Sequence, residues 1–389
     1  MFSYKQSIYN FEIQYIKNRI RCENKIICGE RIEKKKSVVI RPYKNLFNIT
    51  KLKDKDVQLP IFYFLINKIK NILESCFIEG TIVLVSHSEC ILINDEKMDD
   101  RSYDFLRIVL EKEKNIQIFD LPLDDVSDNF TNRIFELIYN NDLKNITPVK
   151  RYTEFVRVPH VLSSQAAGYF IHETIGHMLE SDFFSYSKEM ARNLTISSKL
   201  KVVDSVKESK KIIGEFMYDD NGILTKPLTL ISNGKIQNII STDNDSSFDK
   251  NLYGCARRES YKTASLPRMK NTFILPDKNL MEKDIIGKYS CGIFVKEIHS
   301  AKVNYQTGNY FLQGNGYLIR NGRLQNFIGN LKVKGNILQD MGKIDYIGDD
   351  LKIYGSYCVK LNQSLRVGCG GPTISLLDLN SEGVVYGRV

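Results

Sequence analysis

The sequence predicts an α+β fold built in two parts, and three observations carry that expectation. Helix-length apolar periodicity is confined to residues before 200, Asn-Gly turns between short apolar runs dominate the remainder of the chain, and a polar segment containing proline intervenes at 140–152. A mixed α/β N-terminal domain over residues 1–150 is therefore expected ahead of a C-terminal domain over 151–389. The second domain is read as an antiparallel sheet or open barrel with one helix that carries candidate metal ligands. A length of 389 residues also exceeds one average domain.

In the N-terminal part, LPIFYFLINKIKNILESCF (59–77) has the apolar spacing of a helix. GTIVLVSHSECILIN (80–94) reads as two strands broken by polar Ser86-His87-Ser88. Asp128 is placed to cap a helix through NFTNRIFELIYNNDL, and NNDLKNITPVKRY (140–152) is the expected boundary. Beyond it, Ser163 and Ser164 are natural N-caps for a helix through QAAGYFIHETIGHMLESD. After residue 200 the signal turns to β. Asn221-Gly222, Asn233-Gly234 and Asn321-Gly322 each sit between apolar runs, a strong short-range hairpin cue. No fixed-period repeat accompanies them.

Composition narrows the function classes. A chain that is 42% hydrophobic and 26% charged can build a sizeable core. The net charge of +9 is spread over lysine-rich sequence rather than gathered into a stripe interleaved with aromatics, so no nucleic-acid partner is expected. The N-terminus lacks an uninterrupted apolar run, and no stretch approaches the roughly 18 apolar residues that span a bilayer, so no membrane partner is expected. Eight cysteines without a CxxC pair suit reduced thiols in a cytoplasmic protein.

Only five histidines occur, and two of them flank a glutamate in HETIGH, which puts His172, Glu173 and His177 together on the expected helix. Neutral imidazole is a common zinc ligand, and a glutamate beside one can take a proton from water. The HExxxH spacing differs from the familiar i, i+4 pair. On a regular helix, residues i and i+5 point about 140° apart. Both rings reach one ion only if the helix takes an extra residue as a π-bulge or unwinds near Gly176. A catalytic zinc site usually has three protein ligands. On chemistry alone the third could be an aspartate, a glutamate, His160, His299 or any of the eight cysteines.

Three blocks in order resemble the TldD/PmbA family of metallopeptidases, TldD branch: HETIGHMLESD, GCARRESYKTASLPRMKNTF (254–273) and YCVKLNQSLRVGCGGPTI (357–374). The likeness covers residues 155–389 and is looser before them. It implies Cys358 as the third zinc ligand and Glu173 as the general base of amide hydrolysis, with Cys369 left to packing. Unfolded or unstructured peptides, including peptide precursors, are the implied substrates. The implied assembly is a homodimer or a heterodimer with a PmbA/TldE-like subunit. Met178 and Ala256 depart from the family pattern without removing a ligand. Arg257, Arg258 and Arg268 are candidates for a substrate carboxylate, or for internal ion pairs. Glu180 and Asp182 are candidates to orient a liganding histidine. His160 and His299 are expected to be structural or surface residues, and Gly368, Gly370 and Gly371 to allow a tight turn. The rival reading is a non-catalytic subunit that binds peptides or a partner.

Overall fold

The computed structural model describes residues 2–16, 19–34, 37–42, 79–112, 115–122, 150–206, 216–243, 254–277 and 279–387. The helices expected at 59–77 and after Asp128 lie outside the described residues, as does most of the expected boundary segment.

Among the described residues the N-terminal part is one antiparallel sheet. Its strands are β1 (Phe2–Ile16), β2 (Arg19–Lys34), β3 (Ser37–Pro42), β4 (Glu79–Ile93), β5 (Lys97–Lys112) and β6 (Asn115–Pro122), in the order β3-β2-β1-β4-β5-β6. The expected break at Ser86-His87-Ser88 is absent, and β4 runs through it. That stretch lies mid-sheet, paired on one side with Phe11, Asn10 and Tyr9 and on the other with Asp104, Tyr103 and Ser102. The ring of His87 stacks on Tyr103 at 4.6 Å, so cross-strand pairing overrides local polarity.

The second part holds two six-stranded sheets. One contains β7 (Lys150–Leu162), β14 (Cys291–Val303), β15 (Asn309–Arg320), β16 (Arg323–Asn336), β17 (Ile344–Ile347) and β20 (Ile374–Tyr386). It runs β16-β15-β14-β7-β20-β17, and a further pairing of β16 with β20 joins five strands into a ring. The other contains β8 (Val202–Asp204), β9 (Leu228–Ser232), β10 (Lys235–Ile236), β13 (Asn271–Ile274), β18 (Lys352–Lys360) and β19 (Gln363–Gly371), in the order β10-β9-β8-β13-β19-β18. A small ladder pairs β11 (Ala256–Arg257) with β12 (Leu266–Pro267). Two pairings, β14 with β7 and β13 with β19, are parallel within the otherwise antiparallel sheets.

Several turns form where their local sequence requires them. Asn233 and Gly234 take φ of 51° and 70° between β9 and β10, and Asn321 and Gly322 take 51° and 70° between β15 and β16. Those are the left-handed values a two-residue hairpin requires. Leu361 and Asn362 repeat the conformation between β18 and β19, with no glycine to make it easy.

Helix α1 (Ser164–Ile171) starts where the serines predict, with the Ser163 side chain accepting from the Ala166 N–H at 3.2 Å. It lies hard against β19, because a Cβ at Gly168 would come within 2.7 Å of the Gly370 nitrogen. The expected helix does not run unbroken to Asp182. A π-helical turn covers His172–Gly176, a short 3₁₀ turn covers His177–Leu179, and Glu180 is extended (ψ 131°) before α2 (Ser181–Arg192) begins. A distant segment holds the break open: the N–H of Ile240 donates to Leu179 O, and the carbonyl of Ile240 accepts from the Ser181 N–H. Ala166, Ala167, Phe170, Ile171, Ile175, Met178 and Leu179 remain buried in the main core throughout these changes of helix type. Burying each large apolar side chain contributes about 1.5–3 kcal/mol, enough to hold the irregular turns in place.

Candidate metal centre

The extra residue in the π turn settles the geometry that the i, i+5 spacing left open. The N–H of His177 donates to the carbonyl of His172, five residues back. The two rings then stand 5.0 Å apart, centroid to centroid, at 80° to one another. Two hydroxyls serve carbonyls around the irregular turn. Thr174 donates to Phe170 O at 2.6 Å, and Tyr305 to Glu173 O at 2.8 Å. Gly176 has room for nothing more, since a Cβ there would run into the sulfur of Met269.

Strand β18 brings Cys358 to the pair. Its sulfur is 3.2 Å from Nε2 of His177, and one donor atom from each of His172, His177 and Cys358 lies within 4.8 Å of the others. All three residues are buried. Two donors held about 2.3 Å and 2.0 Å from one tetrahedral ion would stand about 3.5 Å apart, so the sulfur–nitrogen spacing is close to that of a shared ion. The donor set fits zinc in other respects. Nδ1 of His177 is engaged by Glu180 at 2.7 Å, which leaves Nε2 for the centre. Nδ1 of His172 is buried with no hydrogen-bond partner among the described residues.

The electrostatics favour a thiolate. Burial pushes the Cys358 thiol up, but the two imidazoles beside it prevail and bring it down to about 4. Burial likewise pushes His177 down, yet the Glu180 carboxylate and the Cys358 sulfur raise it to about 9. Glu180 is driven up by burial and then down to about 2, chiefly by His177 and next by Lys360. His172 is held well above the ordinary imidazole value, against its burial, by the sulfurs of Cys369 and Cys358. Cys369, expected as packing, is buried with Cys358 and Val367 against Tyr169, and it also borders a histidine of the centre.

The other candidate residues divide clearly. Glu173 is half-buried next to His172 in the π turn. Glu180 touches His177 directly, whereas Asp182 meets Lys360 at 2.7 Å. Arg257 donates to Met269 O and Arg366 O, both at 2.8 Å. Arg258 donates to Asp220 O at 3.1 Å and Asn221 Oδ1 at 3.0 Å. Arg268, fully buried, donates to the Cys358 carbonyl at 2.6 Å. The three guanidiniums thus bind the chain's own groups. His160 is buried between Val158 O and Ser381 Oγ, which engage both of its ring nitrogens.

Three neighbours of the centre escaped the sequence reading. Tyr305 and Phe183 place their rings 6.3 Å from that of His177, and Lys360 bonds Glu180. Lys360 alone left a signal, because residues two apart on a strand share a face, here with Cys358.

Fold and site together define a strand-rich α+β protein with a buried His-His-Cys donor set beside a glutamate. The family model described as PmbA/TldA metallopeptidase C-terminal domain matches residues 156–383, and the chain belongs to that family. It is 32% identical over 234 residues to a protein named metalloprotease TldD homolog from Buchnera aphidicola subsp. Acyrthosiphon pisum, covering 58% of this chain and 48% of that one. It is 28% identical over 272 residues to a zinc metalloprotease TldD homolog from Saccharolobus solfataricus, covering 69% of this chain and 59% of that one. The chain spans about half the length of the Buchnera protein. The fold is similar to the crystal structure of TldE from Thermococcus kodakarensis, with a TM-score of 0.65 and 14% identity, covering 99% of this chain and 96% of the other. No helix among the described residues is long and apolar enough to cross a membrane.

Proposed function

We propose that the chain is a zinc-dependent peptidase that hydrolyses unstructured peptides, with His172, His177 and Cys358 as ligands and Glu173 as general base. The observation that carries this reading is the π turn, which brings two imidazoles to one buried cysteine sulfur while keeping a carboxylate on the same turn. The name of the Saccharolobus relative supports the choice of metal. Zinc held by these donors would supply Lewis acidity toward a water and a scissile carbonyl. Glu173 then takes the water's proton and returns it to the leaving amine. Glu180 fixes the tautomer of His177, and Arg268 fixes the backbone of the residue that brings the thiolate.

The internal hydrogen bonds of Arg257, Arg258 and Arg268 support a role in holding the site's framework over one in holding a substrate carboxylate. Among the described residues, strand β18 is the outer strand of its sheet, with Tyr357 and Val359 exposed beside Cys358. An extended peptide can add to such an edge through its backbone, which suits varied sequences and a role in peptide turnover or precursor processing. The working form is a homodimer or a heterodimer with a PmbA/TldE-like subunit, in the cytoplasm, and the chain comprises units 1–150 and 151–389. Metal analysis of the purified protein, with incubation against an unfolded peptide pool with and without chelator, tests the reading. Stoichiometric zinc and chelator-sensitive cleavage are expected. Metal-free protein with undiminished cleavage would overturn it.

A further inference from the structure

One strand grips His177 through both ring nitrogens. Cys358 of β18 puts its sulfur 3.2 Å from Nε2. Two residues on, Lys360 puts Nζ 2.9 Å from Oε2 of Glu180, the same oxygen that lies 2.7 Å from Nδ1. Alternate residues of a strand face the same way, so the sulfur and the ammonium arrive together on opposite sides of one imidazole.

The ammonium has no slack. Its remaining contacts are Asp182 Oδ1 at 2.7 Å and Pro267 O at 3.0 Å, and it lies 4.7 Å from the centre of the Phe183 ring. Three donors meet three acceptors. Glu180 is wholly buried, and apart from Lys360 and His177 its hydrogen-bonding partner is the Met269 N–H, at 3.3 Å. A buried carboxylate left short of partners is unfavourable, and removing one member of a buried pair exposes that penalty. A carboxylate behind a ligating histidine fixes its tautomer and orientation, and losing such a partner typically weakens metal binding.

From these contacts we infer that Lys360 is a positioning residue of the metal centre. It holds the Glu180 carboxylate aimed at Nδ1 of His177, and it ties that alignment to the strand that delivers Cys358. The inference rests on the proposed zinc site and assigns the lysine no contact with substrate.

The test is a double-mutant cycle on the full chain, read as zinc affinity in competition with a chromogenic chelator. Lys360→Met should weaken zinc binding about 10–100-fold. Because the lysine acts through Glu180, Lys360→Met/Glu180→Gln should bind zinc as Glu180→Gln does alone. That comparison also serves if Lys360→Met alone does not fold, since the double variant buries no unpaired carboxylate. Parental affinity in a folded Lys360→Met protein, or a double variant far weaker than Glu180→Gln, would overturn the inference. Parental zinc affinity in Cys358→Ser is a different result, and it would remove the metal site beneath it.

Discussion

The backbone N–H of His177 reaches the carbonyl of His172 rather than that of Glu173, and this one-residue shift makes an i, i+5 histidine pair converge. Within the turn Gly176 packs against Met269, whose sulfur a methyl group there would meet. Gly176→Ala is expected to destabilise the fold by about 1–3 kcal/mol through overpacking and to lower zinc content. In a Met269→Ala background, where that sulfur is gone, the same substitution should cost less of both. Chemical denaturation with metal analysis checks this, and an equal cost in the two backgrounds would count against packing as the cause.

Glu173→Gln should retain zinc while cleavage falls by about 10²–10⁴-fold, the usual contribution of a positioned general base. Peptide turnover measured beside bound metal separates the two effects. A Gln variant that still cleaves would remove Glu173 from the mechanism.

Cys358→Ala should weaken zinc binding by more than the roughly 10–100-fold expected for a partner behind a ligand. Equilibrium dialysis reads this directly. Zinc bound as tightly as in the parent would mean that the sulfur is not a donor.

His160 gives a pH signature of its own. Burial holds its imidazole down at about 4, against an ordinary 6.5. Above pH 6.5 the ring is neutral in both folded and unfolded chains, and its contribution is whole. As the pH falls, the unfolded chain takes the proton first, so stability is lost from 6.5 down to about 4 and then levels off. The loss is on the order of 3 kcal/mol. His160→Gln should lose less stability than the parent over that interval in urea unfolding with chelator present. Equal acid sensitivity would refute the assignment.

Much of this architecture was readable in the chain because it is locally encoded. Ser163 caps α1 as a serine ahead of an apolar run should, and Asn233-Gly234 and Asn321-Gly322 form hairpins because their residues tolerate positive φ. The α+β class came from the same signals. The spacing of His172 and His177 beside Gly176 demanded a π turn or an unwound one, a requirement of helix geometry rather than of context. What stayed hidden is set by distant partners. The break at Glu180 is imposed by Ile240, and the continuity of β4 through Ser86-His87-Ser88 by strands on both sides. The Tyr305–Glu173 contact joins residues 132 apart in sequence, and Lys360–Glu180 joins residues 180 apart. No local pattern announces the first, and the second is marked only by the two-residue spacing of Lys360 from Cys358 on a strand.

The separation between Cys358 and His177 is 181 residues. Nascent domains generally form in order from the N-terminus at about 5–20 residues per second, so the ribosome would expose the two imidazoles and the glutamate many seconds before the sulfur. A chain stalled in that interval would present a two-donor pocket with little hold on a metal. Translation itself would therefore delay completion of the three-donor cluster until β18 has emerged and paired with β19.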